Sequence, residues 1–151
     1  MTNTQIDVMD RKIIAVLQAE GRISNLDLAQ RVGLSATPCS RRVKRLEDKG
    51  VISGYGARID PEILGYGVSV MVNVCLSRQT PADIKEFLAA VHSLPEIIEC
   101  LLVTGNFDYV LKVRTPNVDA LKNFVLSKLK CIPCVSETTT MLILETAKAT
   151  D

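Results

Sequence analysis

The first fifty residues carry apolar positions at intervals of three and four, the spacing that puts side chains on one face of an α-helix. Three such stretches follow one another, and each ends at a glycine. A residue that can cap a helix N-terminus lies at the start of each stretch. The pattern therefore predicts three short helices, with Asp10, Ser24 and Ser35 as their N-caps.

The second and third predicted helices are joined by a very short connection. Only Gly33 and Leu34 lie between the end of one helix and the cap of the next. Two short helices in such close succession are typical of a helix-turn-helix. The apolar stripe of the third helix, which is expected to pack inward, consists of Cys39, Val43 and Leu46.

The remaining positions of the third helix are polar or basic. Four Lys or Arg side chains fall within five positions, and short polar residues lie near the N-terminal end. Such a helix suits the major groove of DNA, because small residues allow close approach to base edges and cations neutralise phosphates. The alternative is a solvated helix on which cations happen to cluster. The predicted DNA-binding residues are Ser35, Thr37, Ser40, Arg41, Arg42, Lys44 and Arg45.

Residues 51–60 are predicted to form a small hairpin after the third helix, in the manner of a wing. Their short apolar runs are broken by glycines, a pattern that is typical of a hairpin. Arg58 either contacts a phosphate there or is simply exposed. A winged helix-turn-helix domain is therefore predicted over residues 1–60.

The rest of the chain alternates between strand and helix patterns, in the order βαββαβ. This order is that of a ferredoxin-like domain, which we predict over residues 61–151 of an α+β chain. Its sheet has helices on one face only, so a second copy of the same sheet is the simplest cover for the other face. The strands are predicted at 66–77, 96–105, 107–115 and 135–146, and the helices at 80–93 and 115–130.

Composition and charge narrow the function classes. Among the 151 residues, 47% are hydrophobic, so the chain can bury a core. Aromatic residues make up only 4%, with no Trp, which argues against stacking platforms for single-stranded nucleic acid. Up to residue 60 there are ten basic against seven acidic side chains, and afterwards eight against ten. A polyanionic partner is thus expected to meet the first sixty residues.

No catalytic or metal-binding constellation is recognisable. The single His92 lacks a partner at a useful spacing, and the nucleotide-binding and nucleophile fingerprints are absent. Cys131 and Cys134 form a C-x-x-C, but they follow a predicted helix, where the dipole does not lower a thiol pKa. We therefore predict no catalytic residue, metal or cofactor. A ferredoxin-like enzyme or metal-handling domain is kept as the less favoured alternative.

The cellular compartment is predicted from the same features. No apolar run approaches 18 residues, so no membrane span is expected. The N-terminus has no secretory pattern, and five cysteines fit reduced thiols better than a disulfide framework. A cytoplasmic protein is expected.

The chain resembles the Lrp/AsnC family of bacterial and archaeal transcription regulators, the leucine-responsive or feast/famine proteins. The resemblance runs over roughly residues 7–147 and is closest to the leucine-responsive branch. It is carried by "DRKIIAVLQAEGRISNLDLAQRVGLS", "TPCSRRVKRLEDKGVISGY" and "VTGNFDYVLKV". It implies a winged helix-turn-helix followed by a βαββαβ effector domain. It also implies dimers that pair through the effector sheets and often assemble as four dimers.

The resemblance further implies a site for a small effector, usually an amino acid, between effector domains. The family forms this site largely from a G-x-x-D turn and neighbouring strand residues, and a glycine there lets a ligand approach the main chain. The alternative is a plain hairpin turn. Effector identity does not carry over, and Pro133-Cys134 stands where the family commonly has Pro-Gly. The predicted effector-binding residues are Leu102, Gly105, Asn106, Asp108, Thr140 and Met141.

The leading hypothesis is a sequence-specific DNA-binding regulator whose assembly or DNA affinity responds to an amino acid. An architectural DNA-binding protein without an effector shares every feature of the first sixty residues and remains the alternative.

Overall fold

The computed structural model describes residues 6–148, and the chain divides into two compact units between Arg58 and Ile59. The first unit is helical, and the second combines a four-stranded sheet with helices. This arrangement confirms the predicted α+β class and the βαββαβ order. None of the helices within residues 6–148 has the length and apolar character needed to cross a membrane.

Three helices form the first unit: α1 (Val8–Ala19), α2 (Asn25–Val32) and α3 (Ala36–Asp48). Each contributes its apolar stripe to one shared core, as the spacing predicted. On α3, Cys39 and Leu46 are buried and Val43 is half-buried. The buried apolar side chains of this core are Ile13, Leu28, Ala29, Val32, Cys39 and Leu46.

The start of α1 corrects the sequence prediction, because the N-cap is Asp7 and not Asp10. The Asp7 carboxylate accepts the backbone N–H of Asp10 at 2.7 Å. The Asp10 carboxylate in turn accepts the backbone N–H of Asp7 at 3.2 Å, which completes a capping box. The D-x-x-D spacing at residues 7–10 signals this arrangement, but the helix was expected to begin later.

The other two predicted N-caps occupy the expected positions. The Ser24 hydroxyl accepts the backbone N–H of Asp27 at 3.1 Å. Ser35 precedes α3 with extended backbone angles, but its side chain makes no capping hydrogen bond. The Ser35 hydroxyl therefore does not satisfy the N-terminal N–H groups of α3.

The predicted wing hairpin at residues 51–60 is wrong, because these residues form no strand. The apolar runs are too short for a ladder, and they complete α3 instead. The backbone N–H groups of Val51 and Ile52 both donate to the Leu46 carbonyl, at 2.9 and 3.1 Å. Their side chains then pack against the helical core.

The second unit contains the strands β1 (Val68–Leu76), β2 (Ile97–Leu102), β3 (Tyr109–Thr115) and β4 (Val135–Leu142). All neighbouring strands are antiparallel, and their order across the sheet is β2-β3-β1-β4. Helix α4 (Pro81–Ser93) connects β1 to β2, and α5 (Val118–Asn123) follows β3. A π-helical turn, Phe124–Lys128, and a 3-10 turn, Leu129–Cys131, lead from α5 towards β4.

The helix predicted at 115–130 is less regular than its pattern indicated. The apolar spacing of Val118, Leu121, Val125 and Leu129 predicts one amphipathic helix with these residues facing inward, but Val118 is 65% exposed. Phe124, at the start of the π-helical turn, is buried instead. A π turn accommodates an extra residue, and this moves the buried side of the segment relative to a regular helix.

Side-chain alternation along the central strands gives the sheet two distinct faces. On one face, Val70, Val72 and Val74 of β1 are buried in a core with Phe87 of α4 and Phe124. Because neighbouring side chains alternate, the residues between them project from the opposite face. There the strand pairing places Met71 beside Lys112 and Met141, and Asn73 beside Val110 and Thr139.

Candidate functional site

The turn between α2 and α3 is fixed by hydrogen bonds and by one glycine. Gly33 has a φ of +76°, a left-handed conformation that ends α2. The backbone N–H of Leu34 donates to the Ala29 carbonyl at 2.8 Å. The side-chain amide of Asn25 donates to the Ala36 carbonyl at 3.1 Å, and so links the starts of both helices. This geometry fixes the direction in which α3 leaves the turn.

The outer face of α3 carries most of the residues predicted to contact DNA. Thr37, Arg41 and Lys44 follow a spacing of four and three, so they form one stripe. Within residues 6–148, Arg41 and Lys44 form no hydrogen bond or ion pair. Their charges are therefore available to a polyanion. The exposed members of the predicted set are Ser35, Thr37, Ser40, Arg41, Lys44 and Arg45, and Arg42 is half-buried.

The two other arginines of α3 are engaged with α1. One terminal nitrogen of Arg42 contacts the carboxylates of Asp7 and Asp10, at 2.5 and 2.8 Å. A terminal nitrogen of Arg45 contacts the second carboxylate oxygen of Asp10 at 2.5 Å. Asp10 is completely buried. The structure thus separates the predicted DNA-binding cations into two sets: Arg42 and Arg45 with internal partners, and Arg41 and Lys44 without them in the described chain.

This ion-pair network shifts the pKa values of Asp7 and Arg42. The hydrogen bond from Arg42, reinforced by the N–H of Asp10, lowers the pKa of Asp7 below its ordinary value of 3.8. The same hydrogen bond to Asp7, with a second to Asp10, raises the already high pKa of Arg42. Both groups therefore remain charged near neutral pH. Sequence analysis did not identify Asp7 or Asp10 as partners of α3, since nothing in the local pattern links residues more than thirty positions apart.

The segment after α3 also contacts it through a side chain. The Tyr55 hydroxyl donates to the Glu47 carboxylate at 2.8 Å. Partial desolvation of its hydroxyl, together with this acceptor, raises the pKa of Tyr55 to about 12. Tyr55 is consequently a neutral hydrogen-bond donor, and it fixes the path of residues 51–58 beside the C-terminal end of α3. Arg58 is exposed.

The turn between β2 and β3 contains the predicted G-x-x-D. Gly105 has a φ of +121°, which side-chain-bearing residues rarely adopt, and an added Cβ there would meet open space. The backbone of Asp108 closes the turn by accepting the N–H of Val103 at 3.0 Å. Its own N–H donates to the Val74 carbonyl at 2.9 Å. The glycine is thus required by the backbone path and not by crowding.

The Asp108 carboxylate attaches this turn to the end of the central strand. One oxygen accepts the backbone N–H of Leu76 at 2.7 Å, and the other accepts the side-chain amide of Gln79. Each oxygen has therefore one partner already. A carboxylate has about four lone-pair positions, so further donors can still be accommodated.

Asn106 lies at the exposed part of the turn. Its backbone carbonyl accepts the thiol of Cys75 at 3.4 Å, whereas its side chain forms no hydrogen bond within residues 6–148. Burial, with nearby Glu137 and Asp108, raises the pKa of Cys75, so this thiol stays protonated. The side-chain amide of Asn106 can therefore contact a ligand without the loss of an internal bond.

The three predicted strand residues do not gather around the turn within one chain. Leu102 is 75% exposed and pairs with Tyr109, at the β2 edge of the sheet. Thr140 pairs with Val72 and lies on β4, at the opposite edge. β4 is three strand spacings from the β2 strand of Leu102, or about 14 Å across the sheet. Met141 is next to Thr140 and therefore projects from the other face. Only Leu102 is contiguous with Gly105, Asn106 and Asp108.

An apolar groove next to the turn was not predicted. It lies between α4 and β2 and has a volume of about 690 Å³. Two of its lining residues, Leu102 and Tyr109, directly flank the turn. The apolar stripe of α4 was the available signal, but its distance from β2 depends on the fold. The other apolar lining residues include Ile84, Leu88, Val91, Leu94, Ile97 and Ile98.

The C-x-x-C cysteines lie in dissimilar environments. Cys131 is exposed, and Cys134 is buried with its thiol donating to the Asp83 carbonyl at 3.6 Å. Burial raises the pKa of Cys134, the opposite of what a reactive thiolate needs. Among the described residues, no three His, Cys, Asp or Glu side chains gather as metal ligands would.

Comparison with known proteins places both units in one class of proteins. Residues 6–53 match the model of a winged helix-turn-helix DNA-binding domain, and residues 69–151 match that of the Lrp/AsnC ligand binding domain. The chain is 44% identical over 149 residues to the leucine-responsive regulatory protein of Haemophilus influenzae, with 99% of this chain and 90% of that protein covered. It is 44% identical over 143 residues to that of Escherichia coli K12, with 95% and 87% covered.

Solved structures give the same result. A transcriptional regulator of Neisseria meningitidis in complex with L-methionine superposes with a TM-score of 0.93 at 35% identity, covering 97% of this chain and 94% of that one. A feast or famine regulatory protein of M. tuberculosis complexed with L-methionine gives 0.87 at 34% identity, with 96% of each chain covered. The similarity thus extends over both units.

The substitution Gly105→Ala is predicted to destabilise the second unit by about 1–3 kcal/mol, because an L-residue is strained at this φ. Urea denaturation of the full chain will measure the change. Gly54→Ala is the control, since Gly54 also faces open space but is not at a positive φ. Equal stability of the two variants would contradict the conformational requirement at Gly105.

The substitution Asp7→Asn is predicted to lower the urea midpoint at about pH 7 and to lower it less at about pH 3. Asparagine can still cap α1, so chiefly the charge beside Arg42 is lost. A carboxyl group with a lowered pKa stabilises the fold above its ordinary value of 3.8, and loses this contribution as the pH falls through its folded-state value.

Circular dichroism of the helices during urea titration will measure both midpoints. A difference between Asp7→Asn and the unsubstituted chain that stays constant from pH 7 to pH 3 would show that the Asp7 charge does not contribute.

Proposed function

Because the chain belongs to the Lrp/AsnC family of transcription regulators, we propose that the outer face of α3 contacts DNA and that the turn at 103–108 takes part in binding an amino-acid effector. The chain is a DNA-binding regulator with a ligand-binding domain, and not an enzyme. The observation that best supports the DNA-binding proposal is the exposed stripe of Thr37, Arg41 and Lys44 on the second helix of a tightly turned helix pair.

The chemistry of α3 supports different roles along its length. Residues near the N-terminus of a recognition helix approach base edges most closely, and Ser35, Thr37 and Ser40 are small, polar and exposed there. Arg41 and Lys44 carry charges that can neutralise phosphates or donate to guanine. We assign Arg42 and Arg45 to the same surface, but with their orientation set by α1.

The effector proposal rests on the polar groups of the turn and on the apolar groove beside it. Asn106 offers a free side-chain amide, and Asp108 offers a carboxylate for an α-ammonium group. Leu102 and the groove between α4 and β2 offer an apolar surface for a side chain. Two related regulators of known structure carry L-methionine, so an amino acid is the effector class to test first.

A complete effector site requires more than one chain. A ligand at the turn that also contacts Thr140 or Met141 must use those residues from a second copy, since one chain keeps Leu102 and Thr140 about 14 Å apart. The exposed apolar side chains of the sheet, such as Leu101 and Met141, support pairing of effector domains. We propose a homodimer formed by residues 61–151, and an octamer of four dimers as the larger assembly.

The proposed mechanism is linkage between effector binding and assembly. An effector that binds between domains favours one assembly, and the assembly sets the spacing of the α3 helices along DNA. The remaining parts of the proposal are a DNA-binding domain over residues 1–60 and a cytoplasmic location, where a prokaryotic regulator meets chromosomal DNA.

Arg41→Ala and Lys44→Ala are each predicted to weaken duplex binding without a change in thermal stability. A lost base contact costs about 1–3 kcal/mol, and a lost phosphate contact reduces the salt slope of binding by about one. Electrophoretic mobility shifts at several salt concentrations, with a duplex selected from a random pool, will measure both effects. Lys12→Ala removes an equal charge from α1 and is the control. Undiminished binding by both α3 variants would exclude this face of α3 as the DNA contact.

A panel of L-amino acids, starting with methionine and leucine, is predicted to contain at least one that raises the melting temperature. A ligand specific for the folded chain adds about 2.7 kcal/mol at a hundred times its dissociation constant. Asn106→Ala should abolish the shift, because its side chain is free for the ligand, whereas Asn123→Ala in α5 should keep it. If no amino acid shifts the melting temperature while duplex DNA still binds, the turn is not an effector site.

A further inference from the structure

The ion-pair network between α1 and α3 contains a carboxylate that contributes to more than the capping of α1. Asp10 is completely buried, yet it faces two arginines of a helix that begins 26 residues later in the chain. Its two oxygens are divided between them, one to Arg42 and the other to Arg45. The carboxylate therefore restricts both guanidinium groups at once.

Each arginine keeps donors that face away from Asp10. Arg42 uses only Nη1 for its carboxylate contacts, and Arg45 uses only Nη2. A guanidinium has five N–H donors in a rigid plane, so each group keeps an edge without an acidic partner. The side chain of Arg45 is 43% exposed and that of Arg42 is 29% exposed. Both side chains are therefore partly accessible to solvent while they are held by Asp10.

Stability alone is a weak reason for such a network. Burial of a carboxylate has a large desolvation cost, and well-packed apolar residues often stabilise a fold as well as a buried ion pair does. A fixed guanidinium has a different advantage, because it loses little conformational entropy when it binds a second acceptor. Arg41 and Lys44 have no such partner in the described chain, so their side chains lose more conformational entropy when they bind an acceptor.

We infer that Asp10 is a positioning residue for DNA recognition, which holds Arg42 and Arg45 from behind so that Arg45 in particular presents a pre-oriented guanidinium edge to DNA. This inference rests on the proposal that α3 contacts DNA. Arg41 and Lys44 then supply mainly salt-dependent attraction, whereas the Asp10-bound arginines supply orientation. The carboxylate also offsets part of the positive charge of α3, and so limits binding to unrelated sequences.

The test is Asp10→Asn in the full chain. The asparagine keeps the size of the side chain and an oxygen that can accept the Asp7 N–H, but it lacks the charge. Affinity for the duplex selected by the unsubstituted protein should fall about 5- to 150-fold, the range for one lost directional contact. Affinity for an unrelated duplex should be kept or increased. The salt slope for that unrelated duplex should steepen by about one for each arginine that is freed to contact phosphate.

A purely structural role for Asp10 predicts a different result. Partial unfolding of α3 lowers the affinity for both duplexes by the same factor, and this outcome would overturn the inference. Unchanged affinity for both duplexes would overturn it equally. Circular dichroism and the melting temperature of Asp10→Asn will establish the folded fraction in each binding experiment.

If the Asp10→Asn variant does not fold, Arg45→Lys tests the inference in its place. The lysine keeps the positive charge at a partly exposed position but lacks the planar edge. It should lose affinity for the selected duplex while the salt slope for the unrelated duplex stays the same. Full retention of selective binding by Arg45→Lys would overturn the inference. If Arg41→Ala and Lys44→Ala bind normally, the DNA-binding proposal fails first, whatever the Asp10 result.

Discussion

The position of α3 depends on a carboxylate that water does not reach. Asp10 of α1 is completely buried, and Arg42 and Arg45 of α3 neutralise it. The helical unit is small, and a domain of fewer than sixty residues buries a limited fraction of its surface. A few contacts therefore determine how its helices cross. Removal of one partner from a buried ion pair leaves an uncompensated charge, so this network disfavours arrangements of α1 and α3 that separate Asp10 from both arginines.

In the other unit, the Asp108 carboxylate has a comparable structural role. Asp108 accepts the backbone N–H of Leu76, where β1 ends, and the amide of Gln79. It therefore joins the turn at 103–108 to the central strand of the sheet. In both units an acidic side chain connects a candidate binding element to the scaffold behind it. Such supporting contacts are what a precise binding geometry requires.

The fold was predictable where a local pattern determines local structure. The apolar spacing identified α1, α2 and α3 correctly, and the helix predicted at 80–93 corresponds to α4, with Thr80 as its N-cap. The prediction was wrong where a short apolar run packs against a helical core instead of forming a strand. Val51 and Ile52 close the end of α3 instead of forming a hairpin. The π-helical turn after α5 begins at Phe124, which is buried in the tertiary core and so was not evident from local spacing.

The candidate sites were predictable only in part, for the same physical reason. Composition identified Arg41 and Lys44 as cations of an outer face, but it assigned the same role to Arg42 and Arg45. Their ion pairs with Asp7 and Asp10 span more than thirty residues of sequence, and only the packing of α1 against α3 brings them together.

The separation of the predicted effector residues has a consequence for regulation. Within one chain Leu102 lies at the β2 edge of the sheet, whereas Thr140 belongs to β4 at the other edge. A ligand that contacts residues of both kinds must therefore lie between copies of the chain. Its binding free energy is then shared with assembly, so assembly must increase effector affinity by the same factor as the effector increases assembly. Since Asp108 joins the turn to β1, a ligand that engages this carboxylate acts on the central strand of the sheet. Under the proposed mechanism, effector binding, assembly and the spacing of the DNA-binding helices are therefore linked in one equilibrium.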